Sequence, residues 1–215
     1  QEEDSVKLIL ESLDTSFQVF DTLIFPSIAM AYNNLAGIYT RTLNYDMAEI
    51  SLKKAFDYLS IGFDTTHILF STIYNSLGNL YENKGEFQKA LNYYNVSLSI
   101  HLESNLSKYK QIQKLLTLYS NISLIHSKLD NNETALDFQL KAIGLAKEKF
   151  NPTHPEIGYL YNSIGVTYLS LKKFDLSLYY YKLKIFKNKQ VTSYMINKNK
   201  KNSINIKLIT YRLMK

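Results

Sequence analysis

The chain has 215 residues, of which 46% are hydrophobic, and it contains 7 glycines, 3 prolines and no cysteine. This composition argues against wholesale disorder, excludes disulfides and thiolate metal sites, and disfavours a β-rich fold that needs many tight turns. No run reaches the roughly 20 apolar residues of a transmembrane helix. Because the absence of cysteine fits a reducing compartment, we expect a cytoplasmic protein.

Charge is unevenly distributed along the chain. The net charge is +6, but residues 1–175 carry 15 Lys/Arg against 19 Asp/Glu, whereas residues 176–215 carry 10 Lys/Arg and no acid. Basic segments are attracted to acidic protein surfaces, membranes and nucleic acids. We interpret residues 190–215 as a solvated basic tail or a frayed capping helix. Binding of an acidic surface or of nucleic acid through it is an alternative function.

The first predicted element precedes residue 28. Pro26 and Pro155 each stand six residues before an aligned tyrosine, so residues 4–22 match the second helix of an earlier repeat. The hypothesis is that residues 1–27 contain the second helix of a truncated preceding repeat. Since the chain also starts at Gln1, we expect it to be a fragment of a longer polypeptide.

Four helical segments repeat along the rest of the chain and align without gaps. They are AYNNLAGIY (31–39), IYNSLGNLY (73–81), LYSNISLIH (118–126) and LYNSIGVTY (160–168). Each is followed by a second helical stretch with a small residue at a fixed position: Ala48, Ala90, Ala135 and Ser177. At 100° per residue, the aromatic, Leu/Ile and small positions of the first helix fall on one face. One hairpin cannot bury that face alone, so the pattern predicts stacked helix pairs.

The pattern resembles the tetratricopeptide repeat, in which aromatic-x2-Leu-Gly-x2-Tyr is followed by Ala-x3-aromatic. Residues 74–94 carry every mark of it: Tyr74, Leu77, Gly78, Tyr81, Ala90 and Tyr94. The tyrosine spacing of 42, 45 and 42 residues and the NPTHPE connector are similar to the longer subclass found in kinesin light chains. The resemblance implies an all-α, right-handed superhelical solenoid of stacked antiparallel helix pairs. It covers residues 28–189, with repeats at about 28–66, 67–109, 110–153 and 154–189.

The sequence contains no recognisable catalytic motif. It has no Gly-x-Ser-x-Gly, P-loop, dinucleotide-binding glycine fingerprint or His-Glu-x-x-His. His126 stands at a packing position normally held by Tyr, and His67 and His154 stand at equivalent connector positions, where we expect them to cap or terminate helices. We therefore predict no catalytic residue, no metal site and no cofactor, and the protein is not expected to be an enzyme.

Asparagines recur on the first helix of each repeat, on the face predicted to lie opposite the core. Asn is a poor helix former, and its amide can both donate to and accept from the backbone of an extended peptide. The resemblance implies that this face lines a concave groove in which Asn commonly does so. A compositional explanation is also open, because Asn is abundant throughout the chain. The predicted peptide-binding residues are Asn33, Asn34, Arg41, Asn75, Asn79, Asn121, Lys128 and Asn162.

These features predict a non-catalytic protein–protein interaction scaffold that binds a peptide or a partner helix in the groove. A second hypothesis is that the chain is a regulatory, cargo-binding or targeting region of a larger enzyme or motor-associated protein. The expected ligand is a protein or peptide of unknown identity. We expect no small-molecule cofactor, and nucleic acid is not the expected partner, because the sequence contains no recognised module for it.

Overall fold

The computed structural model describes residues 24–104, 107–152 and 154–185, and the regular structure in these ranges is α-helical. The helices are α1 (24–41), α2 (Tyr45–Ser60), α3 (Ile68–Asn83), α4 (Phe87–Glu103), α5 (Lys108–Lys128), α6 (Asn132–Lys149), α7 (Pro155–Ser170) and α8 (174–185). Residues 24–27, predicted to belong to a preceding repeat, are part of α1. The rest of that predicted element, residues 1–23, and the basic tail 190–215 lie outside the described residues.

The helices form two compact units, α1–α4 and α5–α8. In the first unit α3 packs against both α2 and α4, and in the second unit α6 packs against both α5 and α7. Short turns join α1 to α2, α3 to α4, α5 to α6 and α7 to α8, so the helices of each pair run antiparallel. The predicted all-α fold class of stacked helix pairs is confirmed. None of the described helices combines the length and the apolarity that crossing a bilayer requires.

Glycine and serine allow the paired helices to approach closely. Gly78 of α3 lies under the ring of Tyr94 of α4, and a Cβ atom at this position would overlap that ring. Gly165 of α7 lies under Tyr181 of α8 in the same way, and the Ser177 hydroxyl donates to the Gly165 carbonyl at 2.8 Å. The prediction that these motif positions serve packing is confirmed.

Each helix pair turns at a residue in the left-handed backbone region. The four residues are Leu43, Gly85, Asp130 and Lys172, with φ of 60°, 77°, 59° and 56°. All four stand eleven residues after the aligned tyrosine of their repeat. The same backbone conformation therefore reverses the chain in every repeat, although only one of the four residues is the glycine that this conformation favours.

Histidine begins the first helix of two repeats. The main-chain N–H of Leu69 donates to His67 Nδ1 at 3.4 Å, and that of Glu156 donates to His154 Nδ1 at 3.3 Å. Each imidazole also lies against the phenylalanine four residues before it, with ring centroids 4.4 Å apart for His67 and 3.9 Å for His154. The prediction that these two histidines cap helices is confirmed.

Candidate functional site

The first unit contains a cavity of about 190 Å³ between α1 and α3, the first helices of its two repeats. Its lining residues, which define the α1–α3 cavity, are Ala36, Gly37, Thr40 and Arg41 of α1 and Ser76, Asn79 and Asn83 of α3. The cavity is open at Gly37, where an added Cβ atom would meet nothing within 4 Å. The lining carries one positive charge and no carboxylate, so it favours ligand atoms that accept hydrogen bonds.

Two polar groups of the cavity wall are already hydrogen-bonded to the backbone of the helices that carry them. The Thr40 hydroxyl donates to the Ala36 carbonyl at 2.9 Å, and Asn83 Nδ2 donates to the Asn79 carbonyl at 2.8 Å. Arg41 is exposed and makes no hydrogen bond or ion pair within the part of the chain that the structure describes. Its guanidinium is therefore the strongest donor that this wall offers to a ligand.

The side chain of Asn79 is held from the core. Tyr94 of α4 is fully buried, and two oxygens are placed to accept from its hydroxyl, Asn79 Oδ1 at 2.6 Å and Glu82 Oε2 at 2.9 Å. Burial and the nearby Glu82 carboxylate raise the pKa of Tyr94 well above its usual value, so the hydroxyl keeps its proton. Asn79 itself is exposed. Asn79 therefore contacts a buried hydroxyl on one side and lines the cavity on the other.

Asn33 does not lie on the open face where the sequence predicts it. Its side chain is only 7% exposed, and within the described residues its Oδ1 has no hydrogen-bond partner. The reason is its place on the buried stripe of α1, which it shares with Ala29, Ala36 and Thr40. These residues follow one another at helical spacings of three or four, so they share one face. That face borders the core instead of lying opposite it.

The other predicted residues of the first unit divide between cavity and open surface. Arg41 and Asn79 come together on opposite walls of the cavity. Asn34 is exposed on α1 and Asn75 is half-buried on α3, and neither of them lines the cavity. Of the five residues predicted in this unit, the structure therefore brings two to a common site.

The predicted residues of the second unit lie on α5 and α7. Asn121 is half-buried and Lys128 is exposed, and their spacing of seven residues puts both on one face of α5. Asn162 of α7 is half-buried, and its Oδ1 accepts a hydrogen bond from Lys184 Nζ of α8 at 2.7 Å. An ammonium group from a second helix thus reaches the predicted position on the first.

The two units differ in the chemistry of their first-helix faces. Leu124 and Val166 occupy, in the second unit, the positions that Gly37 and Asn79 hold in the first. They are apolar, and their exposed fractions are 46% and 47%. At these positions the second unit therefore lacks the small and polar residues that line the α1–α3 cavity. The candidate site is assigned to the first unit.

Two residues of these surfaces are absent from the sequence-based set. The repeat pattern identifies Tyr94 only as a packing residue, because a sequence does not show where a buried hydroxyl points. Lys184 does carry a signal, since it stands where the other repeats have Ala55, Ser97 and Ala142. A long cation at a position of small residues indicates a side chain that reaches outward.

Among the described residues no three His, Asp or Glu side chains lie close enough together to share an ion.

His126 is half-buried against Phe138, with ring centroids 5.9 Å apart, and its buried Nδ1 has no partner among the described residues. Burial lowers the pKa of His126. This histidine packs in the position that the repeat pattern predicts.

Solved structures with similar folds were found. They include BtubC (BKLC) from P. vanneervenii, with 20% sequence identity and a TM-score of 0.69 over 82% of this chain and 68% of that one. The apo form of RapI has 18% identity and a TM-score of 0.66 over 76% and 57% of the two chains. MamA has 20% identity and a TM-score of 0.57 over 78% and 82%. At these identities the likeness shows the fold alone.

Sequence comparison identifies the family. A comparison with curated protein sequences gave no match. The family model described as the tetratricopeptide repeat matches residues 27–103 and 114–183. The fold is consistent with a protein-interaction scaffold, whereas membership of the longer, kinesin-light-chain-like subclass stays a prediction. Because the two matched segments cover most of the sequence and coincide with the helix pairs, the chain belongs to the tetratricopeptide repeat family.

Proposed function

We propose that the protein is a non-catalytic interaction scaffold that binds a peptide segment of a partner protein at the α1–α3 cavity. The observation that carries this proposal is the lining of the cavity, which combines one guanidinium, two amides and two hydroxyls with no carboxylate. A peptide backbone presents a carbonyl at every residue. Donors such as Arg41 and Asn79 can therefore hold a segment largely independently of its side chains.

The small residues of the cavity support a peptide as the ligand. Because Ala36 and Gly37 have small or no side chains, the main chain of a bound peptide can approach α1 closely. The Ser76 hydroxyl on α3 adds a group that can both donate and accept. We further propose Asn121, Lys128 and Asn162 as contacts for a ligand of the second unit. The cytoplasmic location inferred from the sequence stays a prediction.

Affinity measurements on a selected peptide test this function. A short peptide is selected from a random display library on the immobilised protein, resynthesised and titrated by calorimetry. We expect Arg41→Ala and Asn79→Ala each to weaken binding roughly 3- to 10-fold, the effect of losing one or two hydrogen bonds. The matched controls are Lys53→Ala on α2 and Asn95→Ala on α4, which remove an exposed cation and an exposed amide from second helices.

The control variants are expected to bind as the wild type does. The proposal is wrong if no peptide binds saturably. It is also wrong if Arg41→Ala and Asn79→Ala both retain the wild-type affinity for a peptide that does bind.

A further inference from the structure

The buried ring of Tyr94 brings a hydroxyl to the edge of the cavity. Because Gly78 has no side chain, the ring lies directly against α3. The hydroxyl then reaches two residues further along the same helix, Asn79 and Glu82. Tyr94 is 0% exposed, so its hydroxyl serves the interior side of Asn79 and leaves the cavity side of the amide open.

The Tyr94 hydroxyl faces the amide oxygen of Asn79. The Tyr94 hydroxyl lies within hydrogen-bond distance of two acceptors, Asn79 Oδ1 at 2.6 Å and Glu82 Oε2 at 2.9 Å, and the bond to Asn79 is the shorter of the two. The amide group is planar, so fixing Oδ1 toward Tyr94 places Nδ2 on the other side. Within the described residues Asn79 makes no other side-chain hydrogen bond. Its two Nδ2 protons therefore have no partner among those residues, and Asn79 lines the cavity.

We propose that Tyr94 is a positioning residue of this site, which holds Asn79 so that its Nδ2 and the Arg41 guanidinium together donate to one acceptor group of the ligand. This inference rests on the proposed function and adds the polarity of the contact. The acceptor is a carboxylate or a peptide carbonyl, because both present oxygen lone pairs to N–H donors. A ligand group that offers only N–H donors finds no matching acceptor in this pair of side chains.

The fourth repeat shows that the fold does not require this hydrogen bond. Tyr181 covers Gly165 as Tyr94 covers Gly78. The residue after Gly165 is Val166, so no amide stands where Asn79 does. The tyrosine is thus explained by packing in both repeats, whereas the bond to an amide is particular to the repeat that lines the cavity. Tyr181→Phe is accordingly a matched control for the loss of a hydroxyl.

Nuclear magnetic resonance tests the orientation without any ligand. In the wild type we expect the Asn79 side-chain NH2 protons to exchange rapidly with water, because they face the cavity. We expect Tyr94→Phe to increase the fast motion of this NH2 group, seen as a lower heteronuclear NOE, and Tyr181→Phe to leave it unchanged. Protection of the NH2 protons in the wild type would show that the nitrogen faces Tyr94, and this would overturn the inference.

A double-mutant cycle with the selected peptide tests whether Tyr94 acts through Asn79. We expect Tyr94→Phe to weaken binding about 3-fold in the wild type and to have no further effect in Asn79→Ala. Tyr181→Phe is expected to bind normally. If Asn79→Ala weakens binding but Tyr94→Phe does not, or if the two losses simply add, Tyr94 has no positioning role, while the proposed function still stands.

Two small probes distinguish the sources of the acceptor. Acetate supplies a carboxylate and N-methylacetamide supplies a peptide carbonyl, and each is titrated against the labelled protein. We expect one of them to shift the side-chain resonances of Asn79 and Arg41 together, with the shift of Asn79 reduced in Tyr94→Phe. A shift from acetate identifies a carboxylate, and a shift from N-methylacetamide identifies a backbone carbonyl. The assignment of an acceptor site is wrong if neither probe shifts both side chains.

Discussion

Gly78 is the residue on which the contact between α3 and the Tyr94 ring depends. Its missing side chain allows the Tyr94 ring to lie against α3, and this contact brings the hydroxyl to Asn79. Packing and candidate site therefore meet at one position. A substitution here is expected to disturb both, because the ring of Tyr94 is fully buried and has no room to move away.

Gly78→Ala is expected to lower the free energy of unfolding by about 1–3 kcal/mol, since the added methyl group overpacks a filled site. Gly37→Ala is the matched control on α1, where an added Cβ atom meets nothing within 4 Å. Because Ala is the better helix former, the control is expected to stabilise the protein by up to about 1 kcal/mol. Urea denaturation of both variants measures the difference, and equal stabilities would contradict the close packing.

His126 makes the stability of the second unit depend on pH. Burial lowers the pKa of its imidazole, so between the folded and unfolded pKa values the unfolded chain binds the proton more readily. Stability contributed by neutral His126 is therefore present above about pH 6.5, the unfolded value, and is lost as the pH falls toward the folded pKa. We expect His126→Tyr, which restores the usual residue of this motif position, to reduce the loss of stability on acidification.

The measurement is the difference in unfolding free energy between the wild type and His126→Tyr at several pH values from about 7.5 to 5. Carboxylates contribute to both proteins alike, so the difference isolates the imidazole. An identical pH dependence in the two proteins would show that His126 titrates equally in the folded and unfolded chains.

Individual residues show how far the sequence predicts the site. Helical periodicity places Gly78 and Tyr94 in packing positions, and the structure confirms both. The same periodicity puts Asn33 on an open face, whereas it lies on the edge of the buried stripe. A step of 100° per residue defines the edge of a helix face only to within one position. An error of that size is enough to mistake a buried amide such as that of Asn33 for an exposed one. The hydroxyl of Tyr94 depends on three-dimensional contact, which periodicity does not contain.

At the level of elements, every helix pair turns through a residue with a positive φ, but the residue types at this position differ between repeats. The position is a glycine in the second repeat, but it is Leu43 in the first and Lys172 in the fourth. A non-glycine residue in this conformation costs roughly 1–2 kcal/mol. The sequence motif predicts where the helices end, because turn-forming residues cluster there in two of the repeats. It does not predict that Leu or Lys adopts a positive φ.

Replacing Leu43 by Gly is expected to stabilise the protein by about 0.5–1 kcal/mol, because relief of backbone strain exceeds the entropy that glycine loses on folding. Leu43 is 68% exposed, so little apolar burial is lost. The control is Thr42→Gly in the same turn, where φ is not positive and glycine is expected to destabilise. Thermal unfolding of the two variants decides the prediction, and a lower midpoint for Leu43→Gly would contradict it.

For the whole molecule, the helices of the two units are alike, and the side chains on the first-helix faces distinguish one unit from the other. Solved structures share this fold at 18–20% identity, so the fold is compatible with very different side chains. Here the first unit presents a polar cavity with one guanidinium, while the equivalent positions of the second unit are Leu124 and Val166. Function in such repeats is carried by the site and not by the architecture.

The most direct measurement of the central claim is the map of backbone and side-chain resonances that shift when the selected peptide is titrated into labelled protein. If the peptide binds at the α1–α3 cavity, the largest shifts fall on Gly37, Arg41, Ser76 and Asn79. All four then follow the same saturating binding curve. Shifts confined to the exposed faces of the second helices, such as that around Asn95 of α4, would contradict peptide binding at this cavity.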